Sequence, residues 1–318
     1  MRRDSVRLPN LAIAETRMPG VGPARPGGGS AAVVHAGQLP ASSVRIELEH
    51  HALALATLVN HRNTQYIGTV GVGTPPQRFR LLFDTGSANT WLYAADCWSS
   101  ACRSHRLYDR LASASWRGLN RTISIEYGSG NVSGRLATDT FSLGGELHVP
   151  GVPFGEMVSG AGAAFAAGRF DGVVGLAFAQ LSVAPSIPPL LDELWARRRS
   201  RRVFAFYLTK APAQRGSSLT LGGVDPSRMA EPTFTFHPVV KQAYWEIALR
   251  DVRVGGRSLG LCPRGCRVAV DSGTSLVTGP QARAEIAPRS DPATPRAATG
   301  LIHHAGGDWR ADVAHPRG

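Results

Sequence analysis

Two aspartates, Asp84 and Asp271, stand in nearly the same setting. The first ends the apolar run Leu81-Leu82-Phe83 and opens Asp84-Thr85-Gly86-Ser87; the second ends Val268-Ala269-Val270 and opens Asp271-Ser272-Gly273-Thr274. The copies are 187 positions apart (271 − 84). A carboxylate carried into an apolar interior is costly unless something compensates its charge. Two carboxylates brought together cannot both ionise easily, so they share a proton and titrate as a pair. The ionised member can draw a proton from a bound water while its protonated partner donates to a carbonyl oxygen. That is general acid–base hydrolysis of a peptide bond, and it needs no metal, no cofactor and no covalent intermediate. Gly86 and Gly273 permit close backbone approach at each turn, and the hydroxyls of Ser87 and Thr274 can orient the carboxylates. A single Asp-Thr-Gly is an ordinary turn; two inside matching apolar frames point to two lobes that contribute one carboxylate each.

The elements that must position these residues read mostly as strands. Residues 66–72 alternate, Gly73-Thr74-Pro75-Pro76 turns, and residues 78–83 run on to Asp84, a hairpin pattern. Residues 123–127 followed by Gly128-Ser129-Gly130 are a second strand and turn, continued by a return strand from Val132. Phe170-Asp171-Gly172-Val173-Val174-Gly175 is a short apolar strand, and further strands are expected over 203–208, 218–221, 244–249 and 267–270. Residues 44–48 alternate like a strand, and 52–59 form an apolar patch that suits a strand or a short helix. The clearest helix spans 189–198, with early acidic residues and late arginines that complement its dipole. The arginine run that follows, 197–202, reads as a solvated helix end.

At 318 residues, with 43% hydrophobic residues and 36 glycines, the chain suits a strand-rich, two-domain protein. Its net charge of +12 comes almost wholly from scattered arginines, since Lys210 and Lys241 are the only lysines. No basic helix interleaved with aromatics occurs, so a nucleic-acid partner is not expected. The cysteines form two local pairs, Cys97/Cys102 and Cys262/Cys266, without zinc-knuckle spacing; small disulfide loops in an oxidising compartment are the simpler reading. Asn120-Arg121-Thr122 and Asn131-Val132-Ser133 are glycosylation-type triplets that agree with secretion. Residues 8–14 are interrupted by Pro9 and Asn10 and make no clean signal peptide. No run approaches the length of a membrane-spanning helix. A serine-hydrolase reading finds no Gly-x-Ser-x-Gly elbow.

From 64 to 287 these segments, in this order, resemble the pepsin-like aspartic proteases. The resemblance rests on Gln65-Tyr66-Ile67-Gly68, Phe83-Asp84-Thr85-Gly86-Ser87 with Trp91, Ile125-Glu126-Tyr127-Gly128-Ser129-Gly130, Phe170–Leu176, the two cysteine pairs, and Val270-Asp271-Ser272-Gly273-Thr274 with Gly279-Pro280. It implies an all-β, bilobal fold with a substrate cleft between two barrel-like lobes. It makes Asp84 and Asp271 the catalytic pair, supported by Ser87, Thr274, Gly86 and Gly273. Tyr127, Gly128 and Ser129 become a flap whose tyrosine bonds Trp91. Gly86, Ser129, Gly273 and Thr274 would contact an extended substrate backbone, and Leu82, Phe170 and Val173 would line an apolar pocket before the scissile bond. Disulfides Cys97–Cys102 and Cys262–Cys266 are implied. So are polypeptide substrates, a monomeric state and a secretory, acidic vacuolar or extracellular location.

The expected organisation is a disordered leader over 1–44, a prosegment remnant or first strand over 45–63, and an N-terminal lobe with its connection over 64–235. A partial C-terminal lobe over 236–287 and an unstructured tail over 288–318 follow. The last two rest on spacing. Asp171 follows Asp84 by 87 positions (171 − 84), and the same interval from Asp271 passes the last residue, 318. Two expectations therefore compete: an endopeptidase active in acid between apolar residues, and an incomplete homologue that at most binds peptides.

Overall fold

The structure, a computed structural model, describes residues 11–16, 30–35, 54–61, 65–144, 147–198, 202–209, 215–229, 234–254, 257–274, 277–278, 301–302 and 309–313. It is strand-dominated, an all-β protein. In chain order the strands are β1 (Leu11–Thr16), β2 (Ser30–His35), β3 (Ala54–His61), β4 (Gln65–Val72), β5 (Gln77–Asp84), β6 (Trp91–Tyr93), β7 (Arg117–Tyr127), β8 (Gly130–Ser142) and β9 (His148–Ala161). After helix α1 (Ala163–Ala167) come β10 (Gly172–Gly175), helix α2 (Leu190–Arg198), β11 (Val203–Tyr207), β12 (Arg215–Leu221), β13 (Thr235–Gln242) and β14 (Trp245–Val254). The last are β15 (Arg257–Ser258), β16 (Cys266–Ala269), β17 (Val277–Thr278), β18 (Leu301–Ile302) and β19 (Trp309–Val313). All but β17 and β18 join one continuous pairing network.

Strand β5 shows how sequence becomes position. Its first half alternates in burial, but Leu81 to Asp84 are buried without a break. The reason is that its two faces enter two core clusters, Leu81 and Phe83 in one and Leu82 in the other, while β4 and the parallel β10 pair along its edges, Gly172 beside Leu81 and Gly175 beside Asp84. A strand covered on both faces reads as a continuous apolar run rather than an alternating one. The β7–β8 hairpin turns between Tyr127 and Gly130 and is backed by β9. A core of Phe79, Leu81, Phe83, Phe141, Phe154, Phe204 and Phe206 includes Trp245 and Ile247 of β14, so the second aspartate's half is built onto the first.

The junction between β5 and β10 is fastened by Asp171, which has no exposed surface. Its carboxylate accepts from the backbone N–H of Arg80 (2.8 Å), from that residue's Nε (3.1 Å) and Nη2 (2.7 Å), and from the N–H of Arg106 (3.1 Å). Burial alone would raise its pKa, but the Arg80 guanidinium and the two backbone donors outweigh it and hold the carboxyl below the ordinary range.

The structure differs from the sequence reading at both ends. Within 1–44, where disorder was expected, β1 pairs with β11, and β2 pairs with both β1 and β13. Within 288–318, β18 pairs with β17 and β19 with β14. These short segments carry weak local signals and become strands only where a neighbouring strand offers its edge. The patch at 52–59 resolves as strand β3, paired with β4 and β12. The alternation at 44–48 lies outside the described residues. Among the described residues no helix is long and apolar enough to cross a membrane.

Removing the Asp171 charge would leave Arg80 and two buried donors short of their partner. Asp171→Asn should therefore lower stability by about 3 kcal/mol, read as a shift in the denaturant midpoint. A loss under about 0.5 kcal/mol would show that the β5–β10 junction does not depend on it.

Candidate active site

At the end of β5 the chain turns through Asp84, Thr85 and Gly86; beyond β16 it turns through Asp271, Ser272 and Gly273. The two turns are interlocked. Thr85 Oγ1 donates to Val270 O (2.7 Å) and accepts from Ser272 N (2.9 Å). Ser272 Oγ donates to Phe83 O (2.7 Å) and accepts from Thr85 N (3.0 Å). A hydroxyl that donates once and accepts once is well used in a buried setting. Both sequence motifs place a hydroxyl residue after the aspartate, and here the two hydroxyls satisfy each other's backbone.

The interlock brings the carboxylates face to face across the glycines. A Cβ on Gly86 would lie 2.5 Å from Asp271 Cγ, and one on Gly273 would clash with the Asp84 carboxyl. Only glycine leaves room for each carboxylate to rest on the opposite turn. Asp84 is buried, accepting from Gly86 N (2.8 Å) and from Ser87 Oγ (2.5 Å). Asp271 is exposed, accepting from Gly273 N (2.8 Å), Thr274 N (3.2 Å) and Thr274 Oγ1 (2.5 Å). Burial first, and the charge of Asp271 second, push the Asp84 carboxyl up to about 7, against the Ser87 and Gly86 hydrogen bonds that favour its ionised form.

A relay of backbone bonds supports the pair from behind. Leu176 N donates to Asp84 O (2.8 Å), Trp245 Nε1 donates to Leu176 O (2.9 Å), and Val270 N donates to Trp245 O (3.0 Å). Trp245 therefore touches the supports of both aspartates. It packs on Phe178 with ring centroids 4.3 Å apart. Nothing in its local sequence announces that role.

Above Asp84 sits the β7–β8 hairpin. Trp91 Nε1 donates to Tyr127 OH (2.8 Å). The phenol is held well above its usual pKa by burial and, to a lesser degree, by the Asp84 charge. Gly128 and Ser129 form the exposed tip. Leu82, Phe170 and Val173 are buried in one cluster with Trp91, Ile123, Ile125 and Ile187, and Tyr127 packs against it. The cluster also holds Phe165 of α1, which the sequence reading did not single out. Cys97–Cys102 and Cys262–Cys266 are disulfide-bonded.

The family model for eukaryotic aspartyl proteases matches residues 65–296. The chain belongs to that family. Similar proteins include cathepsin E of Cavia porcellus (40% identical, covering 70% of this chain and 56% of the relative) and napsin-A of Mus musculus (42%, 69% and 52%). Cathepsin D of Chionodraco hamatus is 40% identical over 70% of this chain and 57% of its own length. The chain thus spans about half the length of the curated relatives it matches. In this member of the family the two motif aspartates seat on each other's turns and the hairpin tyrosine packs against the apolar cluster.

Two outcomes follow from this geometry. Because the Asp84 pKa is raised on folding, its contribution to stability is fully present below the unfolded value near 4 and is lost as pH rises through about 7. The unfolding free energy of the native chain should fall across that interval more steeply than that of Asp84→Asn; equal slopes would contradict the raised value. Trp245→Phe, which keeps an aromatic ring but removes the donor to Leu176 O, should cost about 1–3 kcal/mol. No loss in a denaturant titration would remove Trp245 from the support.

Proposed function

We propose that the chain is an aspartic-type endopeptidase that hydrolyses peptide bonds, preferentially between apolar residues, in acid. The observation that carries this reading is the mutual seating of Asp84 and Asp271 on each other's glycine turns. As pH falls through about 7 such a pair takes up its first, shared proton. Burial favours Asp84 as its carrier, leaving exposed Asp271 to take a proton from an attacking water. The protonated carboxyl then donates to the scissile carbonyl oxygen as the tetrahedral intermediate forms, and the proton taken from water passes to the leaving nitrogen.

In this reading Ser87 and Thr274 fix the carboxylates' orientation, and Gly86, Gly273, Thr274 and Ser129 present polar backbone and side-chain groups to an extended peptide. Tyr127, braced by Trp91, closes over the bound chain. Leu82, Phe170 and Val173 offer an apolar wall to the side chain before the cleaved bond, where burial favours large aliphatic and aromatic residues. The disulfides and the exposed Asn120 and Asn131 triplets support residence in the secretory pathway or an acidic compartment it feeds. The chain would act as a monomer.

A second reading, peptide binding with little turnover, is favoured by one observation. Asp271 and Thr274 are exposed whereas Asp84 and Ser87 are buried, so the two halves of the pair are unequally shielded from water.

The purified chain, incubated with an unfolded protein over a range of acidic pH, should cleave it in a manner blocked by a statine-type inhibitor. Activity should decline as pH rises through about 7. Asp84→Asn and Asp271→Asn should each lower the rate by about 10²–10⁴-fold. Inhibitor binding without cleavage would select the second reading, and undiminished cleavage by either variant would exclude the two-carboxylate mechanism.

A further inference from the structure

The segment Ser104-His105-Arg106 reaches one stretch of chain with three successive residues. It leaves the Cys97–Cys102 loop by a tight turn in which His105 N donates to Cys102 O (3.1 Å). Ser104 Oγ then donates to Ala166 O (3.1 Å), His105 Nε2 lies 2.8 Å from Phe165 O, and Arg106 N donates to Asp171 Oδ1 (3.1 Å). All three partners belong to α1 or to the residues that lead from it into β10. Since a carbonyl oxygen can only accept, Nε2 carries the proton in this contact. The imidazole is buried and stacked on Tyr93 with ring centroids 5.1 Å apart, and its Nδ1 finds no partner among the described residues.

Helix α1 is five residues long, too short to persist by its own hydrogen bonds. Its position depends on what grips it. What it presents is the ring of Phe165, 5.5 Å from Tyr127, 5.9 Å from Trp91 and 6.3 Å from Phe170, each contact edge-on. Phe165 is thus the residue through which the hairpin tyrosine, its tryptophan brace and the apolar wall meet. Edge-to-face contacts of this kind are sensitive to displacements of a fraction of a ring width.

The geometry assigns His105 as a positioning residue: its Nε2–H grips the carbonyl of Phe165 and so holds the Phe165 ring beneath Tyr127, where it completes the pocket for a large apolar side chain before the scissile bond. His105 touches no reacting atom and acts through Phe165. The assignment rests on the endopeptidase reading for its kinetic consequence, but not for its structural one.

Two variants separate the donor from the ring. His105→Phe keeps the stack on Tyr93 and loses the donor, whereas His105→Gln can place an amide N–H near the same point. Amide hydrogen exchange of 125–131 and 163–167 is compared first. It should quicken by about tenfold in His105→Phe and stay within about threefold in His105→Gln. Steady-state kinetics follow on two peptides that differ only in Phe or Ala before the cleaved bond. For the Phe peptide, kcat/KM should fall about tenfold in His105→Phe, mainly through KM, with less than about twofold change for the Ala peptide, and His105→Gln should restore most of it. Unchanged exchange in His105→Phe, equal impairment in both variants, or equal loss on both peptides would overturn the assignment. If the native chain cleaves neither peptide, the endopeptidase reading fails, and the exchange comparison alone decides the grip. Should His105→Phe not fold, Phe165→Leu must show the same selective loss on the Phe peptide, and an unselective response overturns the proposal.

Discussion

Two loops from distant parts of the chain hold their aspartates together because Thr85 and Ser272 exchange hydrogen bonds across the gap. Each hydroxyl donates to the carbonyl just before the opposite aspartate and accepts from a backbone N–H of the other loop. Buried hydrogen-bond networks of this kind are worth most when every member is satisfied, and here each hydroxyl both donates and accepts.

Around that lock the fold handles three carboxylates in different ways. Asp171 is as buried as any side chain in the molecule, yet Arg80 and two backbone donors keep it ionised, so it serves as a structural rivet between β5 and β10. Asp84, farther along β5 than Arg80, has no cation beside it among the described residues and faces another carboxylate instead, so it holds a proton far more readily. Asp271 is exposed and leans on its own turn's donors. Environment rather than residue type separates the rivet from the facing pair. The relay from Leu176 through Trp245 to Val270 ties both aspartate turns to one residue, by its indole N–H on one side and its backbone carbonyl on the other.

Much of this was legible in the sequence where local pattern and tertiary demand agree. The unbroken run Leu81-Leu82-Phe83 announced a strand covered on both sides, and the doubled Asp-hydroxyl-Gly motif announced the pair. Strand β9 was not legible: Pro150, Gly151 and Pro153 weaken it, and it forms because β8 lies along its whole length. Phe165 and His105 were missed because an alanine-rich pentapeptide and a lone histidine carry no periodicity. Only their position against the hairpin gives them meaning. Trp245 looked like one more apolar strand residue, since a hydrogen bond to a carbonyl 69 positions away leaves no local trace. The strands near both ends likewise depend on partners remote in sequence.

The interlock is tested most directly by a double-mutant cycle on Thr85→Val and Ser272→Ala, with unfolding free energies measured for the native chain, both single variants and the double variant. Residues that share hydrogen bonds couple, whereas independent sites add. A coupling energy of about 1–3 kcal/mol, with the double variant losing less than the sum of the single losses, is expected. Additivity within about 0.3 kcal/mol would mean that the two loops do not hold each other, and the shared site would lose its foundation.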